Sequence, residues 1–375
     1  MRGSIIKRGK TYSYALTVGV DAAGRRRQKW VGGFRTKKEA ESALAEALGR
    51  VQSGSYCDAG RQTLREYLEA WIDGAAPSLA QSTASDYRRI IKQNIVPRLG
   101  AVRLGALTPA QISKFNNDLL AGGGRNGKPL APRTVIYAHS VLGRALQDAV
   151  RWGLIARNPS RSVTRPKAPR TEMSVWSAEQ ARQFLRYVAD DRLHALWLLL
   201  LTTGLRRGEV AGLRWGDLDL EAKTLSVQRT RVTVDYTVVE NEPKTAKSRR
   251  RIALDRDTAD ALRSHLARQR VEALGLVGTW THSGYVFTDE IGAAFHPQAI
   301  TDRFQRLAAE AGLSVMRLHD LRHTSATLAL LAGIHPKVVQ ERLGHSSIMI
   351  TMDTYSHVVQ GMQEEAAEKL AGLLR

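Results

Sequence analysis

Arg317-Leu318-His319-Asp320-Leu321-Arg322-His323 is followed by Leu343-Gly344-His345, and Tyr355 stands ten residues beyond that last imidazole. A guanidinium and two imidazoles ahead of a tyrosine are the groups that turn a phenol into a nucleophile on a phosphodiester. A free phenol has a pKa near about 10, so at neutral pH it needs cationic surroundings or a base before it can attack. A phosphodiester is already anionic, and attack by oxygen builds further charge on its nonbridging oxygens. Guanidiniums suit that charge through their planar fork and permanent protonation. Arg322 supplies one. Working outward, Thr203-Gly204-Leu205-Arg206-Arg207-Gly208-Glu209 supplies a second: Arg206 follows an apolar helix and a glycine and precedes Glu209 by one helical turn, so an inward carboxylate can hold it.

Composition narrows the partner. The chain has 375 residues, with 56 Lys and Arg against 36 Asp and Glu, a formal charge of +20 that attracts polyanions. Nucleic acid is the partner this excess implies, with an anionic membrane surface as the other polyanion it could face. The longest apolar run, residues 195–201, is far short of the roughly 20 residues that span a bilayer. The start has charge but no apolar core of signal-peptide length, so a cytoplasmic location and no membrane are expected. The single cysteine, Cys57, allows neither an internal disulfide nor a cysteine-based zinc site.

Three textures follow one another along the chain, and the fold class they imply is multidomain, mainly α with small β-sheets. Residues 4–34 read as strands, with Tyr12, Tyr14, Leu16 and Val18 alternating, turn chemistry at 21–24 and a returning strand at 25–32. Thr36 offers an N-cap for a helix carrying Ala40, Ala43, Leu44, Ala47 and Leu48. This is a small three-stranded sheet with one helix on it. Its residues 1–58 hold 12 basic and 5 acidic side chains, which makes the exposed sheet face a candidate DNA reader. From about 61 to 156 the pattern is that of four helices: one with Leu64, Tyr67, Leu68 and Trp71 at helical spacing, one over 82–94, one after Thr108-Pro109 and one over 133–150. The glycine loop at 122–127 is not a phosphate cradle, because no Lys-Ser or Lys-Thr follows it. A linker rich in Pro and Arg runs over 158–170. The last and largest region, mixed α+β, opens with helices, turns to strands at 224–230, 233–240 and 249–254, and returns to helices.

Five motifs of this region occur in one order over about 150 residues: Thr203-Gly204-Leu205-Arg206-Arg207-Gly208-Glu209, Pro243-Lys244-Thr245, His319-Asp320-Leu321-Arg322-His323, Leu343-Gly344-His345-Ser346-Ser347 and Met352-Asp353-Thr354-Tyr355-Ser356-His357-Val358. They resemble the successive motifs of the tyrosine recombinases, and of the phage-type integrases in particular. The two smaller regions resemble that family's arm-binding and core-binding domains by length and texture. The resemblance implies domains at 1–58 (arm-type DNA-binding), 60–157 (helical core-binding, SAM-like), 158–174 (linker) and 175–375 (catalytic). The core-binding and catalytic domains are expected to close as a clamp on duplex DNA.

It also implies a catalytic set of Arg206, Lys244, His319, Arg322, His345 and Tyr355. Tyr355 would attack the scissile phosphate, leaving a 3′-phosphotyrosyl link and a free 5′-hydroxyl, and Lys244 would protonate the departing oxygen. Lys247, three residues on in the same turn, is the alternative acid. The broken bond's energy stays in the phosphotyrosine, so no ATP, other cofactor or metal is implied. The partners implied are double-stranded attachment sites, a homotetramer on DNA, a host DNA-bending protein and an excision factor. The tail, 363–374, reads as an amphipathic helix that packs on its own domain, or by resemblance on a neighbouring subunit.

Three other readings compete. His319 and His323 at i and i+4 could ligate zinc, but Asp320 stands where such hydrolases carry the glutamate base and Arg322 would put a cation beside the metal. A DNA-binding protein without catalysis needs positive charge and no particular tyrosine. A type IB topoisomerase shares the chemistry, but has no use for a second small DNA-binding module. Trp197, Trp215 and Trp280 read as core, and His139, His265, His282, His296 and His335 are given no role.

Overall fold

The computed structural model describes residues 3–20, 26–52, 62–169, 174–242, 249–345, 347–349, 351–352 and 371–372. It divides into two compact units, Met1–Arg170 and Thr171–Arg375. The first unit begins with β1 (Gly3–Arg8), β2 (Thr11–Val20) and β3 (Arg26–Phe34), an antiparallel sheet in the order β1-β2-β3. Helix α1 (Lys37–Gln52) covers one face, where Tyr14, Leu16, Leu44 and Ala47 form a small apolar cluster. Thr36 caps this helix as expected, accepting from the Glu39 N–H while Glu39 accepts from the Thr36 N–H.

The helical module of the same unit contains α2 (Leu64–Ala75), α3 (Gln81–Ile90), α4 (Val96–Leu99), α5 (Pro109–Gly122) and α6 (Pro132–Arg151). Thr63 and Thr108 cap α2 and α5 with reciprocal bonds to Glu66 and Gln111. Between α3 and α4 the backbone widens over Ile91–Ile95, where the Val96 N–H reaches back to the Ile91 carbonyl. This π-type bulge carries one continuous rod further than the 82–94 expected, to Leu99. The core joins Leu64, Leu68 and Trp71 to Val135, Leu142 and Leu146. Tyr67 and Trp71 bury their rings and spend their polar atoms on the Ala145 carbonyl and Asp148. The segment expected to open the linker instead packs here: Asn158 and Ser160 are buried, and Asn158 donates to the Gly143 carbonyl at 2.9 Å.

The second unit contains α7 (Ala178–Tyr187), α8 (His194–Thr203), α9 (Arg207–Ala211), β4 (Leu218–Asp219), β5 (Thr224–Val227), β6 (Thr230–Val234), β7 (Thr237–Asn241), β8 (Arg250–Ala253), α10 (Arg256–Gly275), α11 (Pro297–Glu310), α12 (Leu318–Leu331) and α13 (Pro336–Leu343). Strands β4-β5-β8 form one antiparallel sheet and β6-β7 a two-stranded ribbon. The single strand expected at 233–240 is therefore a hairpin. A run of β-forming residues hides its turn, which Asp235 and Tyr236 make at φ of 47° and 65°.

Helix α8 is apolar nearly all round and runs through the core, burying Leu196, Trp197, Leu199, Leu200 and Leu201. Each such side chain contributes about 1.5–3 kcal/mol by leaving water. Around it, Trp176, Phe184, Trp197 and Phe304 pack with ring centroids 5.1 to 6.1 Å apart. Trp215 packs on this core, whereas Trp280 is half-buried and lies outside it. Among the described residues no helix is long and apolar enough to cross a membrane.

Candidate active site

Two helix ends build the site. Helix α8 stops at Gly204 and α13 at Gly344, both in the left-handed conformation, with φ of 65° and 68°. Only glycine adopts that conformation without strain, and here close packing adds to the requirement. A Cβ on Gly204 would come 2.6 Å from Leu343 Cδ2, and one on Gly344 would come 3.0 Å from the Arg250 side chain. The two turns therefore abut, with their last carbonyls unpaired within their own helices.

Arginines satisfy those carbonyls. Arg322, on α12 and only 3% exposed, donates through Nη1 to the Gly204 carbonyl at 2.7 Å and through Nη2 to the Leu343 carbonyl at 2.5 Å. Arg206, the residue just before α9, donates through Nη1 to Glu209 at 2.8 Å and reaches the Gly344 carbonyl with Nη2 at 3.4 Å. The expected carboxylate is thus in place, and Glu209 also accepts from the Arg206 backbone N–H at 2.8 Å. A third arginine, Arg250 on β8, forks onto both Glu209 oxygens at 2.9 Å and donates through Nε to the Arg342 carbonyl at 2.6 Å. Burial on its own would raise the Glu209 carboxyl, but hydrogen bonds and charge from Arg250, then charge from Arg206, outweigh it and hold the group at about 2.

The imidazoles sit among these cations. The His345 backbone is pinned on both sides by the buried Gln340, and its Nδ1 pairs with the hydroxyl of the fully buried Thr351 at 2.9 Å. His319 and His323 stand edge to face on α12 with centroids 5.1 Å apart. Between them in sequence, Asp320 is spent on Arg317, at 2.7 and 3.0 Å, and so is not poised as the base of a zinc hydrolase. Desolvation first, then the positive charge of Arg322 and Arg206, lowers His345 to about 4. Desolvation, His323 and Arg322 do the same to His319. His319 is exposed, so water screens it, and the half-buried His345 carries the larger part of this effect.

Both rings are neutral in the folded protein near pH 7. In the unfolded chain they protonate below about 6.5, so between there and about 4 the unfolded state binds more protons and stability falls as pH falls. The melting temperature is expected to drop across that window, with a flatter slope in His345→Gln. Glu209 acts lower: its contribution is lost between its ordinary 4.5 and about 2. Melting curves collected from about pH 7 to pH 2 check both.

Four of the six expected site residues, Arg206, His319, Arg322 and His345, thus meet at the ends of α8 and α13 and the start of α12. Lys244 and Tyr355 lie outside the described residues, as do Lys247 and all of the expected tail helix except Ala371 and Gly372. Arg250 was missed in the sequence. The histidines given no role have structural ones: His139 and His265 are buried, while His296 and His335 cap α11 and α13. His282 makes no contact that bears on the site.

Residues 175–361 match the phage integrase family, 4–51 an arm DNA-binding domain, and 63–120 the N-terminal SAM-like domain of phage integrases. A tyrosine recombinase XerC-like protein of Caldanaerobacter subterraneus is 31% identical over 98% of this chain and 98% of its own length. The chain belongs to the phage integrase family of tyrosine recombinases. It is a tyrosine-type site-specific recombinase, an enzyme of DNA strand exchange. Solved folds resemble the recombinase too. The Tn1549 transposon integrase in complex with transposon right end DNA superposes with a TM-score of 0.67 at 21% identity, over 82% of this chain and 100% of that one. A lambda integrase tetramer bound to a Holliday junction superposes with a TM-score of 0.56 at 21% identity, over 92% of this chain and 95% of that one.

Proposed function

We propose that this recombinase is an integrase that inserts or excises a mobile element, such as a phage, through a 3′-phosphotyrosyl intermediate. The Tyr355 oxygen attacks the scissile phosphorus as its proton passes to the neutral imidazole of His319, and the bond from phosphorus to the 5′-oxygen breaks. Arg206 and Arg322 hold the nonbridging oxygens, His345 donates to the phosphate as a neutral imidazole, and Lys244 gives its proton to the departing 5′-oxygen. A 5′-hydroxyl from the partner strand then attacks the phosphotyrosine and reverses the step. The observation that carries this reading is the convergence of Arg206, Arg322 and His345 on the abutting turns at Gly204 and Gly344.

The proposal extends to the assembly. Residues 1–58 would bind arm-type sites, 60–157 the core site, and 175–375 carry catalysis, with 158–174 as the linker. The enzyme would act as a homotetramer on double-stranded attachment sites in the bacterial cytoplasm, with a host DNA-bending protein and an excision factor as accessory partners. The lambda integrase tetramer on a Holliday junction supports that assembly by fold alone.

Polarity tests the chemistry. Adducts trapped with SDS from a reaction in EDTA are expected to carry free 5′-hydroxyl ends that polynucleotide kinase labels without prior phosphatase treatment. Adducts joined through a 5′-phosphate, or adducts that vanish in EDTA, would contradict the mechanism.

A further inference from the structure

We propose that Arg250 is a positioning residue: by occupying both oxygens of Glu209 it keeps Arg206 from closing onto that carboxylate, and so leaves Arg206 free to bind the scissile phosphate. The inference rests on the reading that Arg206 binds that phosphate. Two guanidiniums share one buried carboxylate, and they share it unequally. Arg250 makes the two-pronged contact, at 2.9 Å to each oxygen, and its Nε is taken by the Arg342 carbonyl. Its side chain is 7% exposed, so its donors face protein. Arg206 has one side-chain bond to Glu209 and a long one to Gly344, and its side chain is 38% exposed.

A carboxylate binds a guanidinium best through two parallel bonds. With Arg250 in that position the cluster of two arginines and one glutamate keeps a net positive charge, and that charge resides on the exposed arginine. Without it, Arg206 is the charged partner left to Glu209 among the described residues, and the pair neutralises itself. The approach of Arg250 depends on Gly344, where a Cβ would stand 3.0 Å from Arg250 Cδ and Nη1. The same glycine that ends α13 therefore admits the residue that sets the availability of Arg206.

The test compares two substrates at the mapped cleavage site: the ordinary diester, and a methylphosphonate in which a methyl group replaces one nonbridging oxygen and removes its charge. On the diester, Arg206→Lys is expected to slow single-turnover cleavage by roughly 10²- to 10³-fold, and Arg250→Lys by on the order of 10²-fold as a positional effect. On the neutral methylphosphonate both penalties are expected to shrink to a few-fold. A purely structural role would lower both substrates equally, so an undiminished Arg250→Lys penalty beside a diminished Arg206→Lys penalty would overturn the inference alone. An undiminished Arg206→Lys penalty would overturn the reading of Arg206 and the inference with it. If Arg250→Lys does not fold, Arg250→Gln carries the same comparison: its penalty is expected to shrink on the methylphosphonate as that of Arg206→Lys does, and an equal loss on both substrates would count against the proposal.

Discussion

Tyr355→Phe is expected to abolish the covalent protein–DNA adduct while leaving DNA affinity within about twofold of wild type. The substitution deletes one oxygen, and that oxygen is the whole nucleophile. No other group in the proposed set can take its place: the arginines are permanently protonated, and an imidazole attacking phosphorus would leave an acid-labile bond rather than a stable ester. Affinity comes from many phosphate contacts spread over a chain with a formal charge of +20, to which one hydroxyl adds little. Gel-shift titration beside SDS-resistant adduct formation checks both halves. A Phe variant that still forms adducts would move the nucleophile to another residue.

Arg322→Lys carries the second-largest effect, and it acts on two properties at once. Cleavage is expected to slow by roughly 10²- to 10³-fold, because an ammonium cannot span the positions the guanidinium holds together. Stability is expected to fall by about 1–3 kcal/mol, since Arg322 donates to both the Gly204 and the Leu343 carbonyls in bonds that join the ends of α8 and α13, and a single nitrogen is not placed to serve both. Single-turnover cleavage and denaturant unfolding separate the two losses. An unchanged cleavage rate with reduced stability would make Arg322 a structural residue only.

What could be read from the sequence follows from range. Arg206 and Glu209 lie three residues apart, so one helical turn suffices to pair them, and the expectation matches the contact. Arg250 lies 41 residues from Glu209, and its contact depends on where β8 places it against the start of α9. No local pattern carries that information. Arg322 was legible by motif, but its hold on two helix ends was not, because its partners are backbone carbonyls that any sequence would carry. The hairpin turn at Asp235 and Tyr236 escaped for the opposite reason: the residues favour strand, and tertiary context imposes positive φ on them. Capping by His296 and His335 was hidden because histidine is an uncommon N-cap, although each precedes a Pro that opens a helix.

The most direct test of the account recovers the DNA itself. Wild type and Tyr355→Phe are incubated in EDTA with fragmented genomic DNA from the source and quenched with SDS, and the covalently bound fragments are sequenced. Recovery is expected from the wild type only, concentrated at one or a few sequences, which would then define the attachment site. Scattered recovery would point to strand relaxation without site specificity, and no recovery from wild type that still binds DNA would contradict the catalytic reading.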